Sequence, residues 1–124
     1  MEITESVSRM SSATRLQVGA IIVKEDRIIS LGYNGTPAGW DNNCEDENNK
    51  TLPEVIHAEA NAILKLASSS ESGKGAVMFL THAPCIDCAK LIYSSGIQQV
   101  YFKNSYRSTH GVNFLRKCGV EVWV

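Results

Sequence analysis

Apolar residues along this chain come in short runs separated by polar turns, and the length and period of each run identify an element. Val18 to Val23 is an almost unbroken β-branched run, the pattern of a buried strand. Lys24-Glu25-Asp26 turns it, and Arg27 to Tyr33 returns as a second strand, which predicts an antiparallel hairpin. Val55, Ala58, Ala62 and Leu66 recur at helical spacing, predicting a helix over 55–67 that opens near Pro53-Glu54. Ala76 to Thr81 is apolar almost throughout, as a strand covered on both faces requires. Cys85 to Ser95 reads as a helix stopped by Gly96, Val100 to Lys103 as a strand, His110 to Cys118 as a last helix and Val120 to Val124 as a last strand. Residues 2–12 form a short polar helix or arm, with Ile3, Val7 and Met10 on one side. The order β-β-α-β-α-β-α-β predicts an α/β fold: three α/β/α layers around a five-stranded mixed sheet.

Two stretches fall outside this pattern. Ser68 to Gly75 is a serine- and glycine-rich connection. From Asn34 to about Pro53 the chain is polar and turn-rich, including the acidic run from Asp41 to Glu47. A structureless loop of that length in a compact domain is generally functional or mobile, so it reads as a flap over a pocket.

Size and charge then remove whole classes of function. The 124 residues make a single domain, 1–124, large enough for a real core. With 12 basic and 13 acidic side chains the net charge is -1, which gives no bulk attraction to nucleic acid or membrane. No apolar run approaches the ~20 residues of a membrane span. The opening Met1-Glu2-Ile3-Thr4-Glu5 lacks the basic-then-apolar plan of a signal peptide. A cytoplasmic setting is expected (that of the host cell if the source is viral), and the four cysteines read as metal ligands or free thiols, not disulfides. Cys118, beside Gly119 at a helix end, reads as a small core residue, and Cys44 as a half-buried thiol.

The chemistry lies in His57-Ala58-Glu59 and Pro84-Cys85-Ile86-Asp87-Cys88. Imidazole nitrogen and thiolate sulfur suit zinc at tetrahedral angles, and His57, Cys85 and Cys88 leave the fourth corner for water. Cysteines at i and i+3 share a helix face. His57 with Glu59, and Cys85 with Cys88, fall at predicted helix starts, whose partial positive charge lowers thiolate pKa values. A metal that only stapled the fold would need a fourth protein ligand and would have no use for Glu59. In a catalytic site the zinc brings bound water toward a pKa of ~7, and Glu59 moves protons between that water and a base.

H-x-E followed by P-C-x-x-C is the signature of zinc-dependent base deaminases, and from Ala13 to Val124 the chain resembles the deoxycytidylate (dCMP) deaminase family of the cytidine deaminase superfamily. The resemblance is carried by Arg15-Leu16-Gln17-Val18-Gly19-Ala20, Gly32-Tyr33-Asn34-Gly35-Thr36-Pro37, the two zinc motifs with their flanks, and Tyr106-Arg107. It implies a cytidine-deaminase-like fold and hydrolysis of dCMP to dUMP and ammonia, supplying the precursor of dTMP. It also implies a sugar contact from Asn34, a phosphate clamp of Arg15 and Arg107, and a substrate pocket shared by Ala58, Thr81 and Tyr106. A guanidinium fork suits phosphate oxygens bidentately. Family members are commonly homohexamers under allosteric control by dCTP and dTTP, with Mg2+ accompanying the effector. Two departures stand out: Ala83 precedes Pro84 where relatives carry a bulkier or polar residue, and no second His/Cys cluster lies between Asn34 and His57. A tRNA adenosine deaminase shares the zinc motifs but needs a basic face. A cytidine or deoxycytidine deaminase has no use for a phosphate clamp.

Overall fold

The hairpin read from the first apolar run is where the sheet begins. In the computed structural model, which describes residues 1–124, β1 (Gly19–Lys24) and β2 (Arg27–Tyr33) pair antiparallel. Both turn residues, Glu25 and Asp26, have positive φ (53° and 62°), the geometry whose twist matches the flanking strands, reached here without glycine. β3 (Val77–His82) pairs antiparallel with β1; β4 (Gln99–Asn104) and β5 (Glu121–Trp123) then add in parallel, in the order β2-β1-β3-β4-β5. Parallel neighbours need crossovers. The helices α3 (Ile86–Ser94) and α4 (His110–Lys117) provide them, while α2 (Ala58–Ala67) joins β2 to β3 and α1 (Glu2–Ser8) precedes the sheet.

The strand registers decide which face each residue serves. Ala20, Met78, Leu80 and Val100 point to one side, where they form the core with residues of α2, α3 and α4. Gly32 shares that side, and a Cβ there would lie 2.5 Å from the Ala58 carbonyl oxygen, so the glycine lets α2 rest directly on the strand. Gly19 faces the other side, where α1 approaches as closely. The rest of that outer face carries a stacked row of Phe79, Tyr101 and Trp123, with ring centroids 5.1 and 6.4 Å apart. The three-layer α/β/α fold is therefore realised with one thin layer, a single seven-residue helix.

Several expectations shift in detail. The second helix starts at Ala58 and not at Val55, because Ile56 exchanges both backbone hydrogen bonds with Gly35 and is held extended. The same bridge, with another between Glu45 and Thr51, ties down the 34–57 segment, which is thus irregular but not structureless. Cys44 is fully buried, its thiol 3.7 Å from the Asn42 carbonyl, instead of half-buried. Cys118 caps the end of α4 half-exposed and is no core residue, because the turn at Gly119 carries it to the rim. No helix is long and apolar enough to cross a membrane.

Candidate active site

Two helix starts meet at one end of the sheet, and the same local device forms both. His57 is the N-cap of α2, extended at φ -66°, ψ 153°; Cys85 is the N-cap of α3, extended at φ -71°, ψ 169°. The Cys85 sulfur accepts the Cys88 N–H at 3.5 Å, as a serine or aspartate cap would. A cap side chain points back across its own helix start, so the two caps face each other. Cys85 Sγ and Cys88 Sγ lie 3.6 and 3.3 Å from His57 Nδ1, and the three donor atoms are all within 4.8 Å of one another.

This trio fits zinc on geometry. Zinc–sulfur and zinc–nitrogen bonds at tetrahedral angles separate sulfur from nitrogen by about 3.6 Å, which is the spacing found. The distribution of protons fits as well. Hydrogen bonding from Cys88, then from His57, holds the Cys85 thiol down to about 3. Cys88 is pushed up by its bond to Cys85 and by burial, and His57 is raised by its bond to Cys85. The Cys85 sulfur is thus the one most easily held as thiolate, and binding of a divalent cation would release the protons that remain on the trio.

Glu59, in the first turn of α2, is 4% exposed. Burial raises its carboxyl to about 7, against the opposing pull of its own backbone N–H and of His57. A carboxyl poised there can both accept and donate a proton at neutral pH.

His57, Cys85 and Glu59 line a cavity of about 380 Å³, within the range of small-molecule sites, with Cys88 buried behind them. Ala58 and Ala83 form part of its buried wall, while Arg15 and Arg107 are exposed at its rim. The ion pairs of the chain are Arg27–Glu71 and Lys103–Glu5, so neither rim guanidinium makes a salt bridge, although the Glu45 carboxylate lies near enough to Arg15 to feel its charge. Arg107 lies over the Tyr106 ring at 5.8 Å, and Tyr106 in turn packs on the core. Asn34 reaches the cavity, but its amide is engaged: Oδ1 accepts the Val18 N–H at 2.9 Å and Nδ2 donates to Leu16 at 2.8 Å. Thr81 stands behind the wall, 3% exposed, with its hydroxyl bonded to Gly19 and His82. Its side chain does not reach the cavity; that of the next residue, His82, does.

Three contributors went unread in the sequence. His82 is one, though its place at a strand end just before Ala83-Pro84-Cys85 was a usable signal. Glu45 is another: both carboxylate oxygens accept the Thr14 N–H (3.2 and 3.1 Å), and one also accepts the Arg15 N–H at 3.2 Å, anchoring the segment that carries the Arg15 side chain. Burial works against its charge, yet these donors bring its carboxyl below the ordinary value. Inside an acidic run, nothing set it apart from solvated neighbours. The third is Gly111, in the first turn of α4. A Cβ there would sit 2.2 Å from the Pro84 carbonyl oxygen and 2.8 Å from the Cys85 carbonyl carbon. Only glycine lets α4 lie against the peptide that presents Cys85.

Comparison with known proteins agrees with this geometry. Residues 1–104 match the family model described as the cytidine and deoxycytidylate deaminase zinc-binding region. The deoxycytidylate deaminase of enterobacteria phage T4 is 33% identical, with 99% of this chain and 86% of that protein covered. ComE operon protein 2 of Bacillus subtilis is 38% identical over 90% of this chain, which spans 61% of that relative's length. Among solved structures, the dCMP deaminase of cyanophage S-TIM5 in complex with dCMP and dUMP superposes at a TM-score of 0.96 with 46% identity, covering 99% of this chain and 92% of that one.

Proposed function

The chain belongs to the cytidine and deoxycytidylate deaminase family, and from that premise we propose that it hydrolyses dCMP to dUMP and ammonia. The observation that carries the reading is Glu59, buried in the wall of a cavity beside a zinc-type donor set, with two arginines free of salt bridges at the rim. The 46% identity to a dCMP deaminase solved with dCMP and dUMP supports the choice of nucleotide.

His57, Cys85 and Cys88 would hold the zinc, and when bound it supplies a water activated for attack at neutral pH. The remaining steps belong to the protein. Arg15 and Arg107 hold the 5′-phosphate, so that the base reaches inward to the end of the cavity lined by Glu59. Ala58 and Ala83 give that end flat apolar walls. Glu59 accepts a proton from the attacking water and passes it to ring N3 as oxygen adds to C4. It then takes the proton of the new C4 hydroxyl and delivers it to the 4-amino nitrogen; the C4–N4 bond breaks as the C4 carbonyl forms, and ammonia leaves. A burial-raised carboxyl suits a group that must work in both directions.

Ammonia release measured separately with dCMP, deoxycytidine, cytosine and tRNA tests the reading. Turnover of dCMP well above the other three is expected. Preference for deoxycytidine or cytosine would remove the phosphate clamp, and preference for tRNA would move the chain to another branch of the superfamily. By the same family resemblance we extend the proposal to a cytoplasmic homohexamer responsive to dCTP and dTTP, with Mg2+ accompanying the nucleotide effector. Light scattering and initial rates with and without these nucleotides check it.

A further inference from the structure

His82 lines the cavity, and nothing above assigns it a task. It ends β3, beside Asn104 of β4, so it sits between the wall leading to Cys85 and the Ser105–Arg107 segment at the rim. Its Nδ1 is 2.8 Å from the Thr81 hydroxyl. That hydroxyl is buried and already accepts the Gly19 N–H at 3.0 Å. A hydroxyl has one hydrogen to give, and leaving it unpaired in a buried place is unfavourable. Its remaining partner is His82 Nδ1, which must therefore act as an acceptor. The chain of bonds runs Gly19 N–H to Thr81 oxygen, then Thr81 O–H to His82 Nδ1.

An imidazole whose Nδ1 accepts carries its proton on Nε2. Burial also holds the ring below the usual histidine pKa, which keeps it neutral. Nε2 has no partner in the protein, and it is not among the buried polar atoms left unsatisfied. It is open, in a residue that lines the cavity.

We propose that His82 is a substrate-contacting residue whose Nε2–H, set in one tautomer by the Thr81 hydroxyl, donates a hydrogen bond to an oxygen of the bound nucleotide. Thr81 is the positioning residue behind it. The inference rests on the nucleotide-deaminase reading of this cavity. Two acceptors share the required chemistry, a phosphate oxygen and an oxygen of the nucleoside part, and the two substrates dCMP and deoxycytidine separate them.

The test uses the zinc-loaded protein, with zinc content and melting temperature recorded for every variant. Kd for dUMP is measured by calorimetric titration, and KM and kcat with dCMP and with deoxycytidine. His82→Phe keeps a ring of similar shape without the donor, and should raise KM and Kd by about 3- to 10-fold if the acceptor is a neutral nucleoside oxygen and by roughly 10- to 100-fold if it is a charged phosphate oxygen, with a smaller change in kcat. A penalty confined to the phosphorylated ligands assigns the acceptor to the phosphate; an equal penalty for deoxycytidine assigns it to the nucleoside. Thr81→Val should reproduce a large part of the loss, and Thr81→Ser, which keeps the hydroxyl, should restore it. A His82→Phe protein that folds and keeps the parent KM and Kd overturns the contact. Thr81→Ser as impaired as Thr81→Val overturns the tautomer relay, since loss of the methyl group would then explain both. Should His82→Phe not fold, the Thr81 pair decides. A parent that turns over dCMP while the variants match it sinks this inference alone; a parent that neither binds dUMP nor turns over dCMP sinks it together with the functional reading.

Discussion

A glutamate two residues past a metal-type histidine can be a helix-start charge or a proton carrier, and burial distinguishes the two. Glu59 is 4% exposed, with its carboxyl raised by that burial to about 7; a residue serving only the helix dipole would sit in solvent at its ordinary value. Glu59→Gln keeps the size and loses the proton. Such groups are typically worth about 10²–10⁴-fold, so kcat for dCMP should fall by at least that while zinc content and dUMP affinity persist. A variant within tenfold of the parent would take Glu59 out of the mechanism. Arg107 is decided in the same way, by what surrounds it. It has no carboxylate partner and lies over Tyr106, which limits where its guanidinium can point. Charge-assisted hydrogen bonds contribute about 1.5–3 kcal/mol, so Arg107→Ala should cut kcat/KM for dCMP by roughly 10- to 100-fold and leave deoxycytidine nearly unchanged. An equal loss for both substrates would mean the residue only supports its loop.

At the scale of elements, the site is a meeting of two helix starts at one end of the sheet, with the start of α4 pressed against them, held together by close backbone approaches. Gly32 seats α2, and Gly111 lets α4 press on Pro84-Cys85. Replacing a helical glycine by alanine normally stabilises, by roughly 0.5–1 kcal/mol. At Gly111 the added methyl would meet the Pro84 carbonyl at 2.2 Å, and backbone, not a flexible side-chain tip, would have to move. Gly111→Ala should therefore weaken zinc retention against a chelator by about tenfold or more, the weight of a displaced ligand environment. The thiolate–cobalt absorption of the cobalt-substituted protein should shift as well. Unchanged zinc affinity with the ordinary gain in stability would show that α4 simply slides aside. Glu45 plays the corresponding part for the 34–57 segment, reaching across 31 residues to Thr14.

Across the whole molecule, the donor trio links two helices that the chain reaches on either side of β3, so metal binding should report on global stability. A ligand present at a hundredfold its Kd adds about 2.7 kcal/mol, roughly 10 °C in melting temperature for a chain of this length. Stripping zinc with a chelator should lower the melting temperature by about that much, and one equivalent of zinc should restore it. In Cys88→Ala the difference should vanish. Identical melting with and without chelator, and no zinc by elemental analysis, would refute the metal assignment. How much of this was legible beforehand follows from distance along the chain. The strand runs, the helix faces, and the His57, Glu59, Cys85 and Cys88 spacings are local patterns, carried by residues within one or two turns of each other, and each was readable from the sequence. The hairpin and the mixed character of the sheet followed too, but the strand order β2-β1-β3-β4-β5 came only from the packed structure. Other features depend on which way a side chain points and on partners far away in the chain. Thr81 turns inward while His82 turns to the cavity; Asn34 spends its amide on Leu16 and Val18; Glu45 caps Thr14 and Arg15; Gly111 touches Pro84. No periodicity encodes such contacts. They arise only when separate elements pack, and that packing sets the orientation of every group around the donors the sequence had already named.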